Sequence, residues 1–244
     1  MRTRTRSPRA QPTARVVLVA LLACVVGLSG CTGGGSPTPT GTTEQTPAQR
    51  LAAARAELEA SPAVDFELTS AGLPGKAVGV SGAKGTGLFK PPSFKGTLNA
   101  TVNGVTGTVE VIAVEQDVYL KLFTPGYNKV DPSDYGAPNP AQLFNPQTGI
   151  TSLIAKTTDP AKGQRTRDGA AVLDTITGTV PGSAVADLFV IGDRNGTFDI
   201  TYGITHDSGD LRTLVLKGPF YASTTSTYTL RLKALDQAVA ITRP

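Results

Sequence analysis

The sequence predicts an α+β fold organised around an antiparallel sheet, and three observations predict it. Beyond residue 62, apolar and polar residues alternate with a period of two through several segments, the pattern of strands with one buried face. Asn103-Gly104, set between two such segments, is a strong hairpin signal. A helical pattern precedes the first strand and another interrupts the series, so helices and strands are segregated instead of alternating regularly. With 27 Gly and 18 Pro in 244 residues, the chain stays below the roughly 25–30% of Gly plus Pro that marks disorder.

The N-terminus reads as a processed segment. Arg2, Arg4, Arg6, Arg9 and Arg15 precede any acid, and an uncharged stretch over residues 16–28 follows, ending in Leu28-Ser29-Gly30-Cys31. A basic start, a short apolar run and small residues describe a secretory signal peptide over residues 1–30. Thirteen residues span only about 20 Å as a helix, short of a membrane core of about 30 Å. Leu-Ser-Gly-Cys also resembles a bacterial lipobox, which implies transfer of a diacylglyceryl group to the Cys31 thiol and cleavage before it. The mature protein is then expected at the cell membrane, lipid-anchored on the outer face. Residues 31–46 read as the lipidated cysteine and a Gly/Ser/Thr/Pro linker containing one acid, Glu44, with an average reach of about 20 Å. Residues 47–244 remain as the folded domain.

Removing residues 1–30 also removes the basic character. The formal charge of +4 becomes about −1, with 18 bases against 19 acids, so nucleic acid is excluded as a partner. Cys24 leaves with the signal and Cys31 is acylated, so no thiol remains for a disulfide, a zinc site or a nucleophile.

Along the domain, Thr46, Pro47 and Gln49 have capping-box spacing, and the helix they open runs to Ala60 before Ser61-Pro62 ends it. Leu51, Ala54 and Leu58 form its narrow apolar face. Val64, Phe66 and Leu68 alternate with Asp65, Glu67 and Thr69 in the first strand. Phe94, Leu98, Ala100 and Val102 share one face of another. Val109 and Val111 return after the hairpin, and Val118, Leu120 and Leu122 follow the turn Glu115-Gln116-Asp117. Residues 126–166 break the strand pattern. Two short helices are expected there, one at residues 140–144 and one at residues 148–156, the second aligning Ile150, Leu153 and Ile154. Strands resume at residues 171–180, 198–205, 211–217, 226–235 and 238–242, with a helical turn near residues 183–189.

The search for catalytic chemistry returns little. His206 is the only histidine and sits beside the turn Asp207-Ser208-Gly209-Asp210, with no spacing that builds a triad or a metal site around it. Gly79-Val80-Ser81-Gly82 lacks the second spacer of a nucleophile elbow. The Gly-rich run from Gly82 to Gly87 has no following Gly-Lys-Ser/Thr, and strand glycines more simply mark bends or close backbone approach. The pairs Asp131/Asp134 and Asp207/Asp210 occupy turns, where Asp bonds its own backbone. No enzyme activity, metal or cofactor is expected.

The segment Asn139-Pro140-Ala141-Gln142-Leu143-Phe144-Asn145-Pro146-Gln147-Thr148-Gly149-Ile150 resembles the DPAxxLNPxxGL stretch of the mycobacterial LppX/LprA/LprF/LprG lipoprotein family. Gly72-Leu73, Val118-Tyr119-Leu120 before Thr124-Pro125, Gly163-Gln164-Arg165 before Asp168-Gly169, Ile176-Thr177-Gly178 and the terminal Val239 to Pro244 match in the same order. Asn139 stands for an Asp of that pattern and Phe144 for a Leu. The resemblance implies a strongly curved antiparallel half-barrel with helices on its concave side, enclosing an apolar cavity that binds multi-acylated envelope lipids. It further implies that these lipids are carried outward from the plasma membrane. The partners are then an acylated lipid or glycolipid, the membrane through Cys31, and a membrane lipid exporter.

Strand parity and the helical insert select the cavity-lining candidates: Leu98, Ala100, Val102, Val109, Val111, Leu120, Leu122, Leu143, Phe144, Ile150, Leu153 and Ile154. An alternative is a non-catalytic structural or interaction lipoprotein whose core is filled, because wall and core are equally apolar in sequence. For the anchor, Cys31→Ala is expected to release the protein from membranes or leave its precursor uncleaved. Metabolic labelling with a fatty acid checks this, marking the wild type alone.

Overall fold

The computed structural model describes residues 44–75, 77–102, 104–122 and 125–244, except for the Val102 side chain. The signal-peptide segment, Cys31 and the linker as far as residue 43 lie outside the described residues. Helix α1 (Pro47–Ala60) opens on the expected capping box: Gln49 N donates to Thr46 Oγ1 at 3.2 Å, and Thr46 N donates to Gln49 Oε1 at 2.9 Å. Ser61 Oγ closes the other end by donating to Leu58 O at 2.8 Å.

The strands are β1 (Ala63–Ala71), β2 (Gly79–Phe89), β3 (Pro92–Val102), β4 (Val105–Val114), β5 (Asp117–Lys121), β6 (Asn128–Val130), β7 (Thr158–Lys162), β8 (Thr166–Asp168), β9 (Ala171–Pro181), β10 (Thr197–Thr205), β11 (Leu211–Tyr221) and β12 (Thr224–Leu235). They form one unclosed antiparallel sheet in the order β6-β5-β4-β3-β2-β1-β12-β11-β10-β9-β7, with β8 also paired to β9. Chain neighbours thus pair along each half, and β1 against β12 joins the halves. Short helices α2 (Ser152–Ala155) and α3 (Gly182–Phe189) and 3₁₀ turns at Pro132–Tyr135 and Pro140–Phe144 complete the chain.

Register places the apolar residues of neighbouring strands on one face. Phe66 stands opposite Leu232 and Leu68 opposite Leu230, while Leu214 faces both Leu230 and Tyr202. These side chains, with Leu51, Ala54 and Leu58 of α1 and the buried residues of α2 and α3, form the main core. Helix α1 lies against β7, β11 and α2, and α3 lies against β9 and β10.

Three glycines shape this part of the sheet. Gly85 and Gly96 pair directly, and a Cβ on either would stand about 2 Å from a carbonyl oxygen of the opposite strand, so only bare backbone permits this approach. Gly87 has a different neighbour. The Phe144 ring occupies the space a Cβ would fill there, 2.2 Å from that position. Around Phe144 stand Phe66, Phe89 and Phe94, with ring centroids 5.5, 5.8 and 6.0 Å away.

The structure departs from the sequence expectations at several elements. Residues 238–242 form no strand. Ile241 instead lies against Ala63, Leu88, Ile112 and Val114 on the opposite face of the sheet, and Arg243 donates to Asp117 Oδ2 at 2.6 Å and Glu115 Oε2 at 3.1 Å. The apolar alternation there records one-sided contact without strand pairing. The helix expected over residues 148–156 shrinks to α2. Asn145 Oδ1 accepts from Gln147 N and Thr148 N, fixing a turn, and Gly149 fits so closely that a Cβ would meet Leu143 O at 2.3 Å. Strands β6 and β7 occupy the region read as strand-free, and β8 begins at its last residue. They are edge segments of three to five residues, and their mostly exposed residues carry little alternation to read.

An ion-pair cluster ties α1 to the sheet. Asp174 of β9 accepts from Arg50 Nη2 at 2.8 Å, Arg165 Nε at 2.6 Å and His206 Nδ1 at 2.8 Å. The His206 hydrogen bond above all, with those of Arg165 and Arg50, holds the Asp174 carboxyl well below the usual carboxylate range.

Two outcomes follow. Gly87→Ala forces Phe144 off its seat and is expected to cost about 1–3 kcal/mol, read by chemical denaturation. A depressed carboxylate stabilises the native state above its unfolded pKa of about 3.9, and that contribution fades as pH falls toward the folded value. Asp174→Asn is therefore expected to cost about 1 kcal/mol at neutral pH, with thermal midpoints of variant and wild type converging below about pH 4.

Candidate functional site

On the β3–β6 side of the sheet the same face continues without helical cover. Leu98 and Ala100 of β3, Val105, Gly107 and Val109 of β4, Val118 and Leu120 of β5, Leu122 just beyond it, and Val130 of β6 line a cleft of about 660 Å³. Pairing explains their convergence: Leu98 faces Val109, Ala100 faces Gly107, and Val118 faces both Ala113 and Val130. A Cβ at Gly107 would meet nothing within 4 Å, so this floor position opens onto free space. The cleft volume falls inside the roughly 300–1,000 Å³ typical of ligand pockets.

The other wall comes from the chain after β6. Pro132, Tyr135, Ala137, Pro138 and Pro140 line it. Asp131 caps this segment, its carboxylate accepting from Ser133 N at 2.9 Å and Ser133 Oγ at 2.7 Å; both bonds hold its pKa below the usual value. The far end is clamped where Asn139 Nδ2 and Gln142 Nε2 both donate to Glu115 O, at 2.9 and 3.0 Å. Immediately beyond, Phe144 seats on Gly87. The wall is thus held by its two ends, and its proline-rich middle stands off the sheet.

Among the described residues, no Asp, Glu, Lys, Arg or His lines the cleft. Thr106 and Thr108 border it, yet their hydroxyls bond Thr101 Oγ1 and Asn99 Oδ1, each at 2.7 Å. Beside the cleft, Glu110 accepts from Lys121 Nζ at 3.1 Å and from the Tyr127 hydroxyl at 3.0 Å, and these two bonds lower its pKa. Among the described residues the lining is mainly aliphatic, with Tyr135 and the two threonines as its hydroxyl-bearing members.

At its inner end a small void of about 40 Å³ continues toward the core, sharing Val80, Leu98 and Pro138 with the cleft and adding Leu143 and Tyr228. The buried Tyr228 hydroxyl donates to Val80 O at 3.2 Å and lies 3.2 Å from the Tyr221 hydroxyl, so this end has no unsatisfied side chain.

The sequence-selected residues divide between these environments. Leu98, Ala100, Val109, Leu120 and Leu122 line the cleft, and Leu143 borders the small void. Val111, Phe144, Ile150 and Leu153 are instead buried in the packed core, and Ile154 leans against it half-buried. The physical reason is the Phe144 seat, which draws its segment down onto β2 and β3 and away from the opening. Val102's side chain and Cys31 lie outside the described residues. Val80, Val105, Val118, Val130 and the wall residues Pro132 to Pro140 were not among the candidates. Pairing across the Asn103-Gly104 hairpin signals Val105, whereas nothing local marks the proline-rich wall.

The model of the LppX_LprAFG lipoprotein family matches residues 46–241. Among solved structures, lipoprotein LppX of Mycobacterium tuberculosis is similar with a TM-score of 0.60 at 16% identity, over 80% of this chain and 98% of that one. LprF of Mycobacterium bovis is similar with a TM-score of 0.65 at 16% identity, over 81% of this chain and 96% of that one. At that identity the two structures speak to the fold. No curated protein matches the sequence. The unclosed antiparallel sheet, its few helices and the family match over nearly the whole described domain agree: this chain belongs to the LppX_LprAFG lipoprotein family.

Proposed function

We propose that this lipoprotein binds the acyl chains of a multi-acylated lipid or glycolipid in the β3–β6 cleft and carries it from the plasma membrane toward the outer envelope, itself held to that membrane through Cys31. The observation that carries this reading is the uncharged cleft of about 660 Å³ beside a core that is otherwise closely packed. Interiors ordinarily leave few voids larger than a water molecule, so an opening of this size with aliphatic walls is a feature the fold maintains.

The energetics suit carriage. Each buried methylene contributes about 0.8 kcal/mol, so ten of them supply roughly 8 kcal/mol against water. A bilayer offers the same contact, which leaves transfer between bilayer and cleft close to balanced. Loading and release then need no chemical step, and we assign the protein no catalytic role. Headgroups stay outside, because a charge inside this cleft would lose its hydration with no ion partner.

The test is Leu98→Trp. Leu98 faces the cleft, so added bulk is expected to displace lipid while shifting the thermal midpoint by only a degree or two. Native mass spectrometry of protein purified without detergent reads the lipid. If Leu98 were ordinary packed core, overpacking would cost about 1–3 kcal/mol, or several degrees for a domain of this size. A large midpoint loss with lipid binding unchanged would overturn the reading in favour of a filled interaction module.

A further inference from the structure

Large apolar side chains that face water are few among the described residues, and three of them cluster where the cleft opens. Val105, at the tip of the β3–β4 hairpin, is 69% exposed; Val78, just before β2, is 52% exposed; and Leu122, just after β5, is 48% exposed. Val105 and Leu122 line the cleft itself, and Val78 borders a neighbouring depression together with Gly104 and Thr106 of the hairpin. A second observation concerns charge. Between Lys95 and Glu110 no residue is charged, so the whole outer half of this hairpin can leave water without burying an ion. Elsewhere the surface is laced with ion pairs, as at Asp174, Asp168 and Asp117.

We propose that this rim is a membrane-docking surface: the β3–β4 hairpin tip, with Val78 and Leu122 beside it, enters the interface of a lipid bilayer and sets the cleft mouth against the lipids it exchanges. The chain outside the described domain is compatible with this occupant. From Cys31 to Glu44 the linker is uncharged over residues 32–43 and spans about 45 Å when extended. Glu44, where the linker joins the domain, pairs with Lys162 of β7, seven strand spacings from β3, or about 34 Å across the sheet at about 4.8 Å each. An anchored molecule can therefore turn its hairpin end onto the same membrane that holds Cys31. Contact is apolar, so it should not require anionic lipid. The proposal rests on reading the cleft as a lipid site, since the rim is that cleft's own mouth.

The test uses the chain from residue 31 with Cys31→Ser, so that no acyl anchor contributes. Co-sedimentation is measured with phosphatidylcholine vesicles and with vesicles containing 30% phosphatidylglycerol, at 0.15 and 0.5 M salt. Equal binding to both, little changed by salt, is expected. Val78→Asp/Gly104→Asp, at two rim positions that do not line the cleft, should lower the bound fraction at least tenfold, while Val239→Asp, an exposed valine of the C-terminal tail, should not. Unchanged binding of the double variant, no binding by the parent chain, or binding confined to anionic vesicles and lost in 0.5 M salt overturns the proposal. Native mass spectrometry after loading from mixed micelles separates it from the cleft reading. The double variant should retain lipid and Leu98→Trp should not. Absence of lipid from the parent chain itself would sink the cleft reading, and with it the exchange role of the rim, even where vesicle binding persists.

Discussion

Phe144 on Gly87 is the contact from which the rest of this molecule's organisation follows. A glycine near the end of β2 leaves a gap in the sheet's apolar face, and an aromatic ring from the chain after β6 fills it. Four phenylalanines then interlock, and the segment carrying Phe144 is fixed to β2 and β3. On one side of this plug the helices complete a dense core. On the other, the same segment stands off the sheet as the wall of the cleft. Filling and emptiness are set by one contact, because the wall cannot collapse onto β4–β6 while its end is seated on β2.

Charge is distributed to the same effect. Ion pairs fasten the periphery: α1 to β9 at Asp174, β8 to β11 and β12 at Asp168, and the C-terminal tail to the β4–β5 turn at Arg243. Arg231 and Arg212 both hold the Asp168 carboxylate, the Arg231 hydrogen bond foremost in lowering its pKa. Exposed pairs contribute little individually, about 0–1 kcal/mol, but they position elements that share few apolar contacts. Among the described residues the cleft lining carries no charged side chain, so its contact with a ligand is chiefly aliphatic.

His206 illustrates how a chemically suggestive residue is absorbed into structure. Its Nδ1 bonds Asp174 as a catalytic histidine's would, yet the partners that complete the group are Arg50 and Arg165. Their positive charges stabilise the ionised carboxylate and knit three separate segments together, which is a fastening role.

Local patterning determined much of this protein. The capping box of α1, the alternation of Val64, Phe66 and Leu68, the parity that put Leu98, Ala100 and Val109 on one face, and the order of motifs carrying the family resemblance were all legible, because each depends on residues within a few positions or across one hairpin. Only the tertiary structure decided which apolar residues border open space. Phe144, Ile150 and Leu153 read the same as Leu98 or Leu120, since an apolar side chain carries no local record of what faces it. The edge strands β6 to β8 were invisible for a related reason: they are three to five residues long, and their mostly exposed side chains show no period. The proline-rich wall, likewise, acquires its place from a ring and a glycine 57 residues apart in sequence. Burial against water is written into composition and period; the shape of the space left over is set by long-range contact, which no local pattern encodes.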